Sequence, residues 1–254
     1  MLPDVDARAG HEAIARLQVA RRRRLLLDYD GTLVELAAQP ELAAPDDELC
    51  ALLRDLAASH DTEVVVVSGR PRSVLVAWLG GLDIGLSAEH GLWLRRAKDS
   101  AWTSLAHPHA DLSAVRRAMD VAAAQHAGAR VEHKDHGVAF HHRNAVIDDV
   151  TRGALRSTFA DVGGPGTWLI DGNGVFEVVA RGVSKALVVA ALGKDDDDDV
   201  SVFGVGDDTT DLSLLASLPD PSLAATVGDR IPRHALWFER PSLLRLFLRA
   251  LVDA

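Results

Sequence analysis

Apolar residues follow two rhythms along this chain. Short continuous runs, Leu25-Leu26-Leu27, Val64-Val65-Val66-Val67, Ile84-Gly85-Leu86 and Val200 to Val205, each stop at polar or glycine residues. That is the pattern of strands buried on both faces. Between the runs, apolar positions recur at spacings of three and four. Ala13, Ile14, Leu17 and Ala20 do so, as do Leu49, Leu52, Leu53 and Leu56 within 46–59, and both sets predict amphipathic helices. Pro71, well placed at a helix start, opens a helix over 71–80. Further helices are predicted over 184–193, 209–218 and 240–252, with a short strand at Ala224–Val227. Strands alternating with helices predict an α/β domain with a parallel sheet.

The middle of the chain breaks that alternation. Two β-like stretches, Ala129–Lys134 and Gly137–His142, follow a predicted helix over 110–127. A helix over 147–160 ends before Gly163-Gly164-Pro165-Gly166. Trp168–Ile170 and Val175–Val179 then read as a hairpin turned at Asp171-Gly172-Asn173-Gly174, where the glycines permit the turn. The chain therefore reads as one α/β domain, residues 1–104 and 183–254, interrupted by an inserted α+β domain with an antiparallel sheet, residues 105–182.

Composition narrows the class. Of the 254 residues, 48% are hydrophobic and 25% charged, as in ordinary globular proteins. No apolar run reaches the roughly 20 residues of a membrane span. Arg21 to Arg24 are followed by three leucines before Asp28, short of the roughly 7–15 apolar residues of a signal sequence. Cys50 is the only cysteine, which excludes an intrachain disulfide and a cysteine metal cage. A cytoplasmic location is the expectation, and Lys194 followed by Asp195–Asp199 reads as a solvated acidic loop. The formal net charge of -10 argues against a nucleic-acid partner. It also means that an anionic ligand must find a locally positive site.

Three of the predicted strands end in polar clusters: Asp28–Thr32, Ser68–Arg70 and Gly206–Asp211. In open parallel sheets, ligands bind beyond the carboxyl ends of the strands, so these clusters are expected to converge. Asp28 and Asp30 with Asp207 form a hard-oxygen set suited to Mg2+. Asp28 suits a nucleophile that forms an aspartyl-phosphate, and Asp30 a general acid and base. Gly31 allows a tight turn and turns its amide toward a phosphate.

Leu27-Asp28-Tyr29-Asp30-Gly31-Thr32-Leu33 resembles the first motif of the haloacid dehalogenase superfamily of phosphatases. D-x-D-G-T should occur by chance in about 0.002 of chains this long. The resemblance implies a HAD-like Rossmannoid core of α/β class with an inserted α+β cap domain, and Mg2+ as cofactor. It implies that Asp30 meets the metal through its backbone carbonyl, and that Ser68 binds a phosphoryl oxygen beside Gly31, Thr32 and Gly69. It also implies that Lys185 holds nucleophile and phosphate, and that Asp207 and Asp208 are metal ligands supported by Asp211.

A narrower resemblance, to the trehalose-6-phosphate phosphatase family, covers most of the chain. It rests on the same first motif, Ser68-Gly69-Arg70, Ala88-Glu89-His90-Gly91 and Gly206-Asp207-Asp208-Thr209-Thr210-Asp211. In the inserted domain, Val131-Glu132-His133-Lys134 and His141-His142-Arg143-Asn144-Ala145 look like the family's cap segment. Strand alternation places Glu132 with Lys134 on one face, and His141 with Arg143 on one face of the neighbouring strand. The resemblance implies sugar-phosphate contacts from these four, from Arg70, Glu89 and His90, and from Glu177. Val179-Ala180 stand where the family usually has Arg-Pro, Ala186 replaces a glycine, and Leu212-Ser213 replace Glu-Asp. The function implied is hydrolysis of trehalose 6-phosphate by a monomer, with the cap closing over a small-molecule sugar phosphate and with no nucleic-acid or membrane partner. The alternatives are the same chemistry on sucrose-phosphate, mannosyl-phosphoglycerate or a pseudo-disaccharide phosphate, or a non-catalytic sugar-phosphate-binding module from a synthase–phosphatase fusion.

Overall fold

The structure is a computed structural model that describes residues 7–193 and 200–252. The acidic run Asp195–Asp199 lies outside them. The chain divides into two compact units, Met1–Leu105 with Ser184–Ala254, and Ala106–Val183.

The first unit is built on β1 (Arg22–Asp28), β2 (Thr62–Val67), β3 (Gly85–Ala88), β4 (Trp93–Arg95), β5 (Thr103–Ser104), β10 (Val200–Gly206), β11 (Leu223–Val227) and β12 (Leu236–Phe238). Their order is β12-β11-β10-β1-β2-β3-β4-β5. The strands from β12 to β3 run parallel, and β4 and β5 are antiparallel. Leu27 sits between Val205 and Val66 in register. The continuous apolar runs have a simple cause. Leu25, Leu27, Val64 and Val66 pack beneath α1 (Ala7–Val19), α2 (Asp47–Ala58), α3 (Arg72–Leu79) and α8 (Pro241–Val252). Leu26, Val65 and Val67 pack on the other face, against α6 (Ala186–Leu192) and α7 (Leu212–Leu215). Each such side chain contributes about 1.5–3 kcal/mol when fully buried.

Three short strands, β4, β5 and β12, have two or three residues each and carry no periodicity to read. The helix expected over 209–218 is a 3-10 turn, Thr209–Asp211, followed by the single turn of α7. The Asp211 carboxylate folds back onto the backbone N–H groups of Asp207 and Asp208, which tightens the first turn. Leu218 then packs on Gly204, and Pro219 removes the donor that a longer helix would need.

In the second unit, β6 (Arg130–His133), β7 (Gly137–His141), β8 (Thr167–Gly172) and β9 (Val175–Ala180) form an antiparallel sheet ordered β6-β7-β9-β8. Val138, Phe140, Phe176 and Val178 turn one face toward Val115 and Met119 of α4 (Ser113–Gln125) and Phe159 of α5 (Asp149–Gly163). The hairpin turn is narrower than expected. Asp171 and Gly172 remain in β8, and Asn173-Gly174 alone reverse the chain, with Gly174 at φ +73°. Strand β7 stops at His141, so alternation does not carry Arg143 onto its face. The His142 ring packs beside Phe176, the chain turns there, and Arg143 is an exposed residue donating to the Asn173 carbonyl at 2.6 Å. No helix among the described residues is long and apolar enough to cross a membrane.

Candidate active site

Strands β10, β1 and β2 are parallel neighbours, so their carboxyl ends bring Asp207, Asp28 and Ser68 to one edge of the sheet. Lys185, immediately before α6, completes the centre. Its Nζ donates to Asp28 Oδ1 and to Asp211 Oδ1, both at 2.5 Å. All three side chains are buried, Lys185 at 3% exposure. Burial alone would push the Lys185 ammonium down, but Asp211 and Asp28 outweigh it and hold the group above the ordinary lysine range. Burial, then the Asp211 charge, pushes the Asp28 carboxyl well above the usual range, while Lys185 opposes them.

Asp211 is spent on support. Its Oδ2 accepts from the N–H groups of Asp207 and Asp208, both at 3.0 Å, and its Oδ1 holds Lys185. Asp207 points back into the centre, with Thr32 Oγ1 at 3.5 Å from its Oδ1. Burial, with Asp211 and then Asp208, pushes its carboxyl up to about 7 against the pull of Arg230 and Lys185. Gly31 makes room for it. At φ +85°, a Cβ there would lie 2.2 Å from Asp207 Oδ2. The Gly31 N–H donates to the Val34 carbonyl at 2.8 Å, so that amide does not face a phosphate as expected from the sequence.

These residues fit a divalent cation. Asp28, Asp207 and Asp211 each place a carboxylate oxygen within 4.8 Å of the others. Asp28 Oδ2 is buried with no hydrogen-bond partner, a costly state for a carboxylate oxygen unless a cation meets it. A hard all-oxygen set of this kind suits Mg2+. Two expected ligands have side chains placed outside this cluster. Asp208 accepts from the Thr209 N–H and hydroxyl and pairs with Arg230 Nη2 at 2.9 Å. The Asp30 carboxylate is gripped by Arg70, from Nε at 2.8 Å and Nη2 at 2.5 Å. Arg70 also donates to the Pro40 carbonyl and lies over the Trp78 ring.

The β2 and β3 ends interlock. Ser68 N–H donates to the Ser87 carbonyl, His90 N–H to the Ser68 carbonyl, and Glu89 N–H to the Arg70 carbonyl. Ser68 Oγ accepts from the Arg70 N–H at 3.1 Å. Gly69 lacks a side chain because the His90 ring occupies that space, 2.4 Å from where a Cβ would stand. Glu89, His90 and Gly91 all have positive φ, at 50°, 57° and 92°. Gly91 backs onto the segment that carries the lysine: a Cβ there would lie 2.4 Å from the Ser184 carbonyl oxygen and 3.0 Å from Lys185 Cα.

In the second unit, Glu132 pairs with Ala139, and Ala139 with Glu177, across β6, β7 and β9. Glu132, Glu177 and His141 therefore share the sheet face opposite the helices. Lys134 Nζ donates to Glu177 Oε1 at 2.6 Å, and the His141 ring meets Glu132 Oε2 at 3.2 Å. Burial pushes the Glu132 carboxyl up, but His141 and Lys134 outweigh it and leave it below the usual range. Sequence reasoning missed one residue of the first unit. Arg230, past β11, contacts both Asp207 and Asp208, and a lone arginine in a loop carries no local signal of that role.

In fold, the chain matches haloacid dehalogenase-like structures: a haloacid dehalogenase-like hydrolase from Bacteroides thetaiotaomicron superposes with a TM-score of 0.56 at 12% identity, over 81% of this chain and 94% of its own. The C-terminal domain of a trehalose-6-phosphate phosphatase from Candida albicans superposes with a TM-score of 0.86 at 22% identity, over 96% of each chain. The trehalose-phosphatase family model matches residues 26–221, and the chain belongs to that family. A bifunctional trehalose-6-phosphate synthase/phosphatase of Thermoproteus tenax is 37% identical over 213 residues, 82% of this chain and 29% of its own length. A trehalose-phosphatase of Schizosaccharomyces pombe is 28% identical over 237 residues, 85% of this chain and 28% of its own. The chain thus spans less than a third of these curated relatives.

Proposed function

We propose that this chain hydrolyses trehalose 6-phosphate to trehalose and phosphate through an aspartyl-phosphate on Asp28, with Mg2+ as cofactor. The observation that carries the reading is the Asp28 carboxylate. One oxygen is fixed by Lys185 and the other is left without a partner beside Asp207, in a chain of the trehalose-phosphatase family.

The Asp28 carboxylate attacks phosphorus in line, and Asp30 gives a proton to the departing sugar oxygen. Asp30 then takes a proton from water, which attacks the acyl phosphate and returns Asp28 as carboxylate. Lys185 fixes the nucleophile and balances charge, and Ser68 Oγ donates to a phosphoryl oxygen. Asp28, Asp207 and the Asp30 carbonyl are the donors proposed for Mg2+, which when bound neutralises the carboxylates and polarises a phosphoryl oxygen. The second unit is the proposed cap, and Glu132, Lys134, His141 and Glu177 are its proposed sugar-recognition surface.

Phosphate release measured across a panel of sugar phosphates, with and without EDTA, tests this. Trehalose 6-phosphate is expected to rank far above the sucrose, mannosyl-glycerate and pseudo-disaccharide phosphates, and EDTA to abolish release. Another compound ranking first would overturn the substrate and leave the chemistry. Tight binding without release in Mg2+ would identify a non-catalytic module, and indifference to EDTA would overturn the mechanism.

A further inference from the structure

Among the described residues, two cations stand in the carboxylate centre. Lys185 is buried and belongs to the proposed chemistry. Arg230 is one-third exposed and does something the chemistry does not ask for. Its guanidinium bridges two different carboxylates, Nη1 to Asp207 Oδ2 at 3.2 Å and Nη2 to Asp208 Oδ2 at 2.9 Å. The loop that carries it is braced. Gly228 turns at φ +67° and donates to the Phe238 carbonyl at 2.8 Å. Trp237 Nε1 donates to the Gly228 carbonyl at 2.6 Å. Arg233 stacks on the Trp237 ring and pairs with Asp229. The loop tip is thereby fixed beside the end of β10, with Arg230 directed at the acidic pair.

The geometry points to Arg230 as a resident counter-cation of the Asp207–Asp208 pair, which a divalent metal must exchange as it takes Asp207. The inference rests on the metal site proposed above. Asp207 is 4% exposed, and a buried carboxylate without a cation is costly. A guanidinium stays charged at every working pH, so it can balance Asp207 before any metal arrives. The same positive charge then repels a divalent ion that seeks the same carboxylate. Arg230 thus holds the centre folded and charge-balanced while empty, at the cost of weaker metal binding.

The test uses the full chain with Arg230→Gln and Arg230→Lys. Mg2+ binding is measured by calorimetry, Mn2+ binding by electron paramagnetic resonance, and Tm in EDTA and in saturating Mg2+. Arg230→Gln is expected to bind Mg2+ about tenfold more tightly than wild type, because a nearby positive charge is gone. Its Tm is expected to fall in EDTA and to return to the wild-type value in Mg2+, because the metal replaces the missing cation. Arg230→Lys, which keeps the charge, should bind metal within about threefold of wild type. Equal or weaker metal binding by Arg230→Gln, or an equal loss of Tm in EDTA and Mg2+, would overturn the inference and make Arg230 a purely structural contact. If wild type itself binds neither ion, the proposed metal site fails instead. Should the glutamine variant not fold, an Arg230→Lys affinity far from that of wild type would by itself overturn the exchange.

Discussion

Arg70 grips Asp30 by both carboxylate oxygens, at 2.8 and 2.5 Å, while its own plane is pinned between the Pro40 carbonyl and the Trp78 ring. A bidentate arginine–carboxylate pair fixes orientation as well as charge. The resemblance assigns Arg70 to the substrate; three of its five guanidinium N–H donors go to Asp30 and the Pro40 carbonyl, so we read it also as the support that orients the proposed acid and base. Arg70→Ala should lower the single-turnover rate on trehalose 6-phosphate about a hundredfold, the scale of lost acid catalysis. The first-turnover burst on p-nitrophenyl phosphate should change by less than about threefold, because that leaving group needs no proton. Equal losses on both substrates would show that Arg70 acts on the phosphate itself.

Lys185 balances two buried carboxylates at once, Asp28 and Asp211. Removing one partner of a buried ionic network leaves uncompensated charge and costs about 3–5 kcal/mol. Lys185→Met should lose stability on that scale in urea unfolding with EDTA present, and turnover should vanish. Asp28→Asn should also abolish turnover while circular dichroism and the unfolding midpoint stay close to wild type, since the amide still accepts from Lys185. Substantial activity in pure Asp28→Asn would remove Asp28 as nucleophile.

The legible parts of this molecule are those that need only near neighbours in the chain. Leu25 to Leu27 read as a doubly buried strand because both sheet faces are covered, and the polar residues after it had to meet the ends of Val67 and Gly206. The illegible parts depend on pairing at a distance. Nothing around Arg230 marks it as the partner of Asp207, and nothing around Arg70 says that its guanidinium will pair with Asp30. Alternation places Arg143 on a strand face only while the strand lasts, and β7 ends at His141. The edge strand β12, three residues long, pairs with β11 alone, so its burial pattern is too short to see.

Gly91 sits at φ +92°, where a Cβ would lie 2.4 Å from the Ser184 carbonyl oxygen and 3.0 Å from Lys185 Cα. A methyl group there must move the backbone that presents Lys185, and Ala also resists the left-handed conformation. Gly91→Ala should therefore lower kcat about a hundredfold, as misplacements of about 1 Å do. Its KM should change little, because no sugar contact is proposed at this residue. An unchanged kcat would show that the 89–91 turn does not position the lysine.

Gly31 is read from sequence as a turn residue with a phosphate-facing amide, yet its N–H is committed to Val34. What demands glycine is Asp207, delivered by a different strand to within 2.2 Å of where a Cβ would stand. Gly31→Ala must push that carboxylate out of the cluster it forms with Asp28, and the positive φ adds roughly 1 kcal/mol of strain. The metal should feel this before the phosphate does. Calorimetry should show the Mg2+ Kd rising more than about tenfold, with the loss of activity recovered in part at high Mg2+. If instead metal affinity held and activity fell at every Mg2+ concentration, the glycine would be serving the phosphate through its backbone after all, and the cluster of Asp28 with Asp207 would not be where the cation binds.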